Sequence, residues 1–317
     1  MAEKESVEKE DEEAFLTTVR ERYRLCIDSD RENRDRAREA LAFRNLEQWD
    51  EKTKKERQED PEGARPCLVV DKLNQHVMQV VNDERQNRPQ IKVRPVDDKG
   101  DPEVAKIYDG ILRHIQDKSR ADVAYDTGFE CAVDGGFGFW RVLTEYNDPM
   151  SFEQDIRIKR LRNRFSVHLD PARQEPDGSD AKYGFILYKV QQKDFKKEFG
   201  KKGEDALDGF KYEGKEFTDW YGDDWVVYAE YFWTEYVKQT IVLMEDGSVM
   251  SKQEHTDNRH TGIIQQERVT SVSKIRWRKV TGTGILEDGE WVGDKIPIIE
   301  VIGNELDIEG KVVRSGL

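Results

Sequence analysis

The chain has 317 residues, 37% of them charged and 36% hydrophobic, with a formal net charge of −14. Its charge density exceeds the roughly 25% of ordinary soluble domains, which points to an extended shape or to polar interfaces between copies; 7 Trp, 11 Tyr and 13 Phe are nevertheless too much aromatic surface for a disordered chain. The acidic balance argues against a general DNA or RNA binder, the scattered Cys26, Cys67 and Cys131 suggest neither a disulfide framework nor a zinc site, and the sequence has no bilayer-spanning apolar run and no secretory signal, as expected of a soluble chain made in cytoplasm.

Residues 1–13 are almost devoid of apolar groups and are expected to form a disordered acidic tail. From Phe15 to Trp49 an apolar stripe recurs at helical spacing, predicting a long helix whose weakest point is Asp28 to Asp30. After a turn-rich break at Asp60 to Pro66, Cys67 to Val70 reads as a buried strand or an extended lead-in, with Asp71 placed to cap a helix through Leu73, Val77 and Val81. That helix ends before Pro89. Ile91, Val93 and Pro95 predict a brief strand. Asp101-Pro102 opens a third helix through Ile115, and a fourth spans about Ala121 to Asp134.

At Gly135 the pattern changes to alternation, predicting strands over 137–146, 156–161, 165–169 and 183–190. Short charged helices near 194–199 and 204–210 precede further strands at 225–237, 240–244, 269–280 and 296–302. The expected fold class is α+β, with a helical region and one short strand over 14–134 and a β-rich region of mostly antiparallel sheet over 135–317.

Few motifs carry chemistry. The cluster Gly135-Gly136-Phe137-Gly138 closes a helix and opens a strand, the reverse of a phosphate loop, and reads as a C-cap and turn. Asp170 to Asp180 is acidic but lacks EF-hand spacing. The five histidines, His76, His114, His168, His255 and His260, make no metal set, and no cofactor site is expected. Hydrolase and Walker signatures are absent, so nothing supports an enzyme. Strand alternation puts Lys274, Arg276 and Arg278 on one face, the best candidate for contact with nucleic acid. Arg157, Lys159, Arg160, Arg162 and Arg164 form a second basic run. In both, the competing reading is pairing with carboxylates of a neighbouring strand or subunit. The aromatic stretch from Trp220 to Tyr236 suits either a stacking platform or the inside of a packed sheet, and packing fits an alternating strand better.

Four blocks in order, RYRLCIDSDRENRDRAREALAFRNLEQWD, RPCLVVDKLNQHVMQVVNDERQNRPQIKVRPVD, DKSRADVAYDTGFECAVDGGFGFWRV and GDKIPIIEVIGNELDIEGK, cover most of residues 14 to 315. In these blocks the chain resembles the N-terminal part of the portal proteins of short-tailed phages of the lambdoid Salmonella type. The resemblance implies the wing or hip region of a dodecameric ring at one capsid vertex, a noncatalytic conduit for packaging and ejecting double-stranded DNA. It further implies contacts with copies of itself, terminase, scaffolding, capsid and tail proteins, no membrane, and residence in the virion after assembly in host cytoplasm. Portal proteins of this type are longer, so the stem, clip and C-terminal barrel would follow Leu317. Two other readings stay open: a nucleic-acid-binding module using 157–164 and 274–279, and a hydrolase built from scattered carboxylates.

Overall fold

The computed structural model describes the chain except for residues 1, 60–62, 89, 96–99, 214–217, 246 and 258–262. Helices come first: α1 (Ala2–Arg44), α2 (Glu51–Gln58), α3 (Leu73–Gln86), α4 (Pro102–Ser119) and α5 (Ala121–Gly135). Strands β1 (Phe137–Tyr146), β2 (Gln154–Arg160), β3 (Val167–Leu169) and β4 (Tyr183–Gln191) follow, then α6 (Gln192–Glu213), β5 (Trp225–Met244), β6 (Val249–Ser251) and α7 (Lys252–Asp257). The chain closes with β7 (Ile264–Val280), β8 (Ile285–Trp291), β9 (Ile298–Ile302), β10 (Asn304–Ile308) and β11 (Lys311–Ser315). Paired strands are antiparallel, giving the expected α+β fold.

Several boundaries differ from expectation. Helix α1 begins at Ala2, inside the segment expected to be a tail, and passes Asp28 to Asp30 without interruption. There Arg31 bonds Asp28 at 2.8 Å and Arg34 lies 3.9 Å from Asp30, the spacings that support a continuous helix. Residues 91–95 are extended and, among the described residues, pair with no strand; the Val93 amide donates to Asp109 Oδ1. Residues 67–70 are likewise an extended lead-in, with Leu68 and Val70 exposed. The strands expected at 225–237 and 240–244 are one strand, and 164–166 form a 3₁₀ turn ahead of β3.

The chain forms two compact units, each assembled from separated stretches. The first comprises residues 24–180 and 297–317. Its sheet has the order β2-β1-β9, with Trp140 opposite Arg160 on one side and Ile299 on the other. The change at Gly135 is therefore a change of secondary structure inside one unit, not a boundary between units. Gly136 caps α5 at φ 88°, its amide donating to Ala132, and a Cβ on Gly138 would lie 2.1 Å from the Gly128 carbonyl. Only glycine lets α5 approach β1 this closely. Val77 and Val81 of α3 pack on Val133 of α5, and Ala121 and Ala124 of α5 pack on Ile158 of β2.

Much of this unit is held by buried charge. The Glu300 carboxylate receives Arg173 in a bidentate pair at 2.7 and 3.0 Å and Arg314 at 3.1 Å; Arg314 also reaches Glu305 at 2.9 Å. Burial opposes the Arg173 charge, but Glu300 more than offsets it and raises the pKa. Asn33 of α1 donates to the Val312 carbonyl and accepts from the Arg314 amide, while Arg34 donates to the carbonyls of Phe165 and Val167. Asp134 joins Arg44 at 2.7 Å and Arg164 at 2.5 Å. Internal pairing accounts for part of the high charge content.

The second unit comprises residues up to Tyr23 and residues 181–296. Its strands lie in the order β4-β5-β7-β8, with β6 on the far end of β5. On one face Phe15 of α1 packs on Tyr231 and Trp233, Tyr231 stacks on Phe185, and Arg22 bonds the Tyr231 hydroxyl. On the other, Phe195 and Phe199 of α6 pack on Tyr228, whose hydroxyl burial pushes its pKa up. Helix α6 kinks at Gly200, so it carries both of the short helices expected there.

Candidate interface surfaces

The three cations singled out on β7 lie where alternation puts them, and the flanking strands decide their surroundings. Lys274 bonds Glu290 of β8 at 2.9 Å, and Arg276 bonds Glu235 of β5 at 2.5 Å. Hydrogen bonding from Lys274 holds the Glu290 carboxyl below its usual range. Arg278, opposite Asp288, lies over the rings of Phe15 and Trp233. Positive strand β7 therefore runs between carboxylates on both neighbours. The second basic run divides differently: Arg157 and Lys159 pair with Asp155 and Glu145, Arg164 is buried against Asp134, and Arg160 and Arg162 are exposed.

Other candidates resolve into structure. The aromatic stretch packs both faces of the sheet, with Trp220, Tyr228, Tyr231 and Phe232 buried. In the acidic loop, Asp180 accepts from the amides of Gln174 and Glu175, and Asp177 from that of Ser179, so these carboxylates brace turns. Among the described residues no group of three or more His, Cys, Asp or Glu side chains is placed to hold a metal ion. His260 lies outside the described residues. His168 is buried, and desolvation with Arg34 nearby pushes its pKa well below the usual histidine value. Burial pushes the Cys26 thiol up to about 12 and also raises that of Cys131, leaving both inert.

The sequence reading missed a set of exposed apolar side chains in the first unit. Val104, Ile107, Tyr108 and Ile111 form a stripe along the outer surface of α4, which buries only Ala105. At the tip of the β1–β2 hairpin, Met150 and Phe152 are 92% and 98% exposed. Alternation of i, i+3, i+4 and i+7 on α4 was visible, but a sequence does not say whether such a stripe faces the core or a partner. Among the described residues no helix is long and apolar enough to cross a membrane.

Against these surfaces stand the matches to known proteins. Residues 20–317 match the family model of the phage P22-like portal protein. The chain belongs to that family. A portal protein of Acyrthosiphon pisum secondary endosymbiont phage 1 is 25% identical over 261 residues, covering 77% of this chain. The aligned part is 36% of that phage protein, so this portal-family chain spans about a third of the length of its relative. The family assignment takes in both compact units, so the paired cations, the buried network around Glu300 and the exposed stripe of α4 all lie within the matched region.

Proposed function

We propose that the chain is a noncatalytic structural part of a portal subunit, whose copies close into a dodecameric ring at one capsid vertex. Duplex DNA passes through that ring during packaging and ejection, terminase docks on it and supplies the ATP hydrolysis, and scaffolding, capsid and tail proteins contact it from host-cell assembly through to the finished virion. The observation that carries this reading is the family match over 20–317.

Two physical features support it. A subunit that contacts its neighbours head to tail forms a ring when the rotation closes, and such a subunit keeps apolar surface for its neighbours; the stripe on α4 and the tip of the β1–β2 hairpin are surface of that kind. The charge of −14 gives DNA few cations on which to condense, so a conduit built from this chain lets phosphates slide past. On this reading Lys274, Arg276 and Arg278 serve the sheet that holds them rather than the DNA.

Negative-stain electron microscopy with mass photometry on the purified chain is the direct test. Closed rings of about twelve copies are the expected result; a strict monomer at every concentration would count against lateral contacts in this region. A salt-dependent gel shift of duplex DNA without rings would favour a nucleic-acid-binding module instead. For the conduit itself, charge reversal of lumen-facing residues should slow packaging and make it salt dependent; an unchanged rate would refute the electrostatic part.

A further inference from the structure

We infer that the acidic N-terminal arm of α1 in one copy docks on a lysine face of α6 in the next copy. This rests on the proposal that copies of the chain assemble, and it names two surfaces that would join them.

The lysine face is built on the first half of α6. Phe195 and Phe199 turn to Tyr228, and Gly200, at φ 55°, ends this stretch of helix. At i, i+3 and i+4, Lys193, Lys196 and Lys197 share the side turned away from the sheet, and Lys201 follows the kink; all four are exposed. Among the described residues none of the four makes an ion pair, whereas Lys274, Arg276 and Lys279 of β7 each do. Like charges three and four residues apart repel and weaken a helix, a repulsion that a partner of opposite charge relieves. The carboxylates nearby in sequence lie around this face rather than on it. Asp223 and Asp224 adjoin the N-terminus of α6, where the helix dipole draws anions. Asp194 and Glu198 follow on the flank, with Glu198 3.8 Å from Lys279, and Glu204 and Asp205 come after the kink.

The arm has the opposite sign. Residues 2–13 contain seven carboxylates against Lys4 and Lys9. Among the described residues Phe15 is the first side chain of α1 to pack on the sheet, and Asp11, Glu12 and Glu13 ahead of it are exposed. At 1.5 Å per residue the helix carries Glu3 about 18 Å beyond Phe15.

The sheet keeps arm and face apart within one copy. Phe15 packs on Tyr231 and Trp233, which point to one side of β5, while Phe195 and Phe199 pack on Tyr228, which points to the other. Helix α1 is continuous from Ala2 to Arg44, so its arm does not turn back round the sheet. Opposite charges on opposite faces of one unit meet only between copies. A contact between unlike faces repeats head to tail, from copy to copy, until it closes. Duplex DNA is the other polyanion that such lysines could meet, but the net charge of −14 opposes its approach.

The test uses the full chain with two charge reversals. An arm variant carries Asp11→Lys, Glu12→Lys and Glu13→Lys; a face variant carries Lys193→Glu, Lys196→Glu and Lys197→Glu. All six sites are exposed, so melting temperatures should match the wild type. By mass photometry and sedimentation each variant alone should associate about a hundredfold more weakly, because like charges then face each other. A chain carrying both reversals, and equally a mixture of the two variants, should associate as the wild type does; a merely structural role for either set would not be rescued in this way. Variants that assemble like the wild type would overturn the contact and leave the assembly reading standing, as would a swapped chain that stays monomeric. A face variant that assembles normally but loses binding to duplex DNA would overturn it in favour of phosphate. A wild type that never associates would overturn both readings.

Discussion

Replacing Glu300 by alanine removes one carboxylate from between two buried guanidinium groups. The side chains of Arg173 and Arg314 are 5% and 9% exposed and that of Glu300 is fully enclosed, so neither cation can turn to solvent without opening the unit. Breaking a buried pair by deleting one partner costs roughly 3–5 kcal/mol, a large share of the roughly 5–15 kcal/mol that hold a domain together. Arg314 keeps Glu305 at 2.9 Å, whereas Arg173 loses both of its carboxylate bonds, so the expected loss is about 4 kcal/mol. Because the chain has two units, hydrogen exchange by mass spectrometry is the suitable assay, read on peptides from β9 and β11. A 4 kcal/mol loss corresponds to about a thousandfold faster exchange there, with β4 and β5 in the other unit unchanged. Exchange accelerated by less than about tenfold would refute the view that this network holds the unit, since that equals about 1.4 kcal/mol. Exchanging all partners for apolar residues of similar volume should be far milder than Glu300→Ala alone, because no charge is then stranded.

His168 stays neutral in the folded chain, so below its unfolded value near 6.5 the unfolded state binds the extra proton; stability present above that pH falls by up to about 1.4 kcal/mol per pH unit as pH drops toward the folded pKa. His168→Gln should lack this component, so its stability gap to the wild type narrows between pH 6.5 and 5 in urea titrations and stays constant above 7; a gap independent of pH refutes it. Gly138→Ala drives a Cβ into the Gly128 carbonyl and should cost about 3 kcal/mol, whereas Gly110→Ala, which meets nothing, should stabilise the monomer by about 1 kcal/mol; thermal melts of the two variants check the contrast. Lys274→Ala with Arg276→Ala should shift stability by under about 1 kcal/mol, because both pairs are partly exposed, and leave duplex DNA affinity unchanged in a salt series.

Local chemistry was readable from the sequence wherever one residue decides it. Asp101 accepts the Glu103 amide at 2.8 Å ahead of Pro102, Asp71 accepts that of Asn74 at 3.1 Å, and Gly136 ends α5, all as their residue types require. Helix α2 escaped notice because EKTKKERQ has no apolar periodicity and buries nothing. The β10–β11 hairpin turns on Glu309 and Gly310, at φ 54° and 83°, a left-handed pair that glutamate rarely supplies. Ile91 to Pro95 read as a strand because apolar alternation does not reveal whether a ladder partner exists. The two units were beyond reach for a related reason: Arg141 pairs with Ile298, and alternation says nothing about which distant strand lies alongside. For the candidate surfaces, alternation located the cations of β7, but their carboxylate partners depended on the register with β5 and β8.

The pairing of β1 with β9 also sets a schedule. Arg141 leaves the ribosome about 160 residues before its partner Ile298, which at roughly 5–20 residues per second is a wait of roughly 8 to 30 seconds. During that time one edge of β1 has no strand to bond, and the Glu300 carboxylate that Arg173 will hold has not yet been made. Most of the intervening synthesis lays down the other unit, which can close its own sheet first. A nascent chain with an open edge beside an exposed apolar hairpin tip is at its most adhesive then, so chaperone supply and translation rate bear on the yield of folded chain.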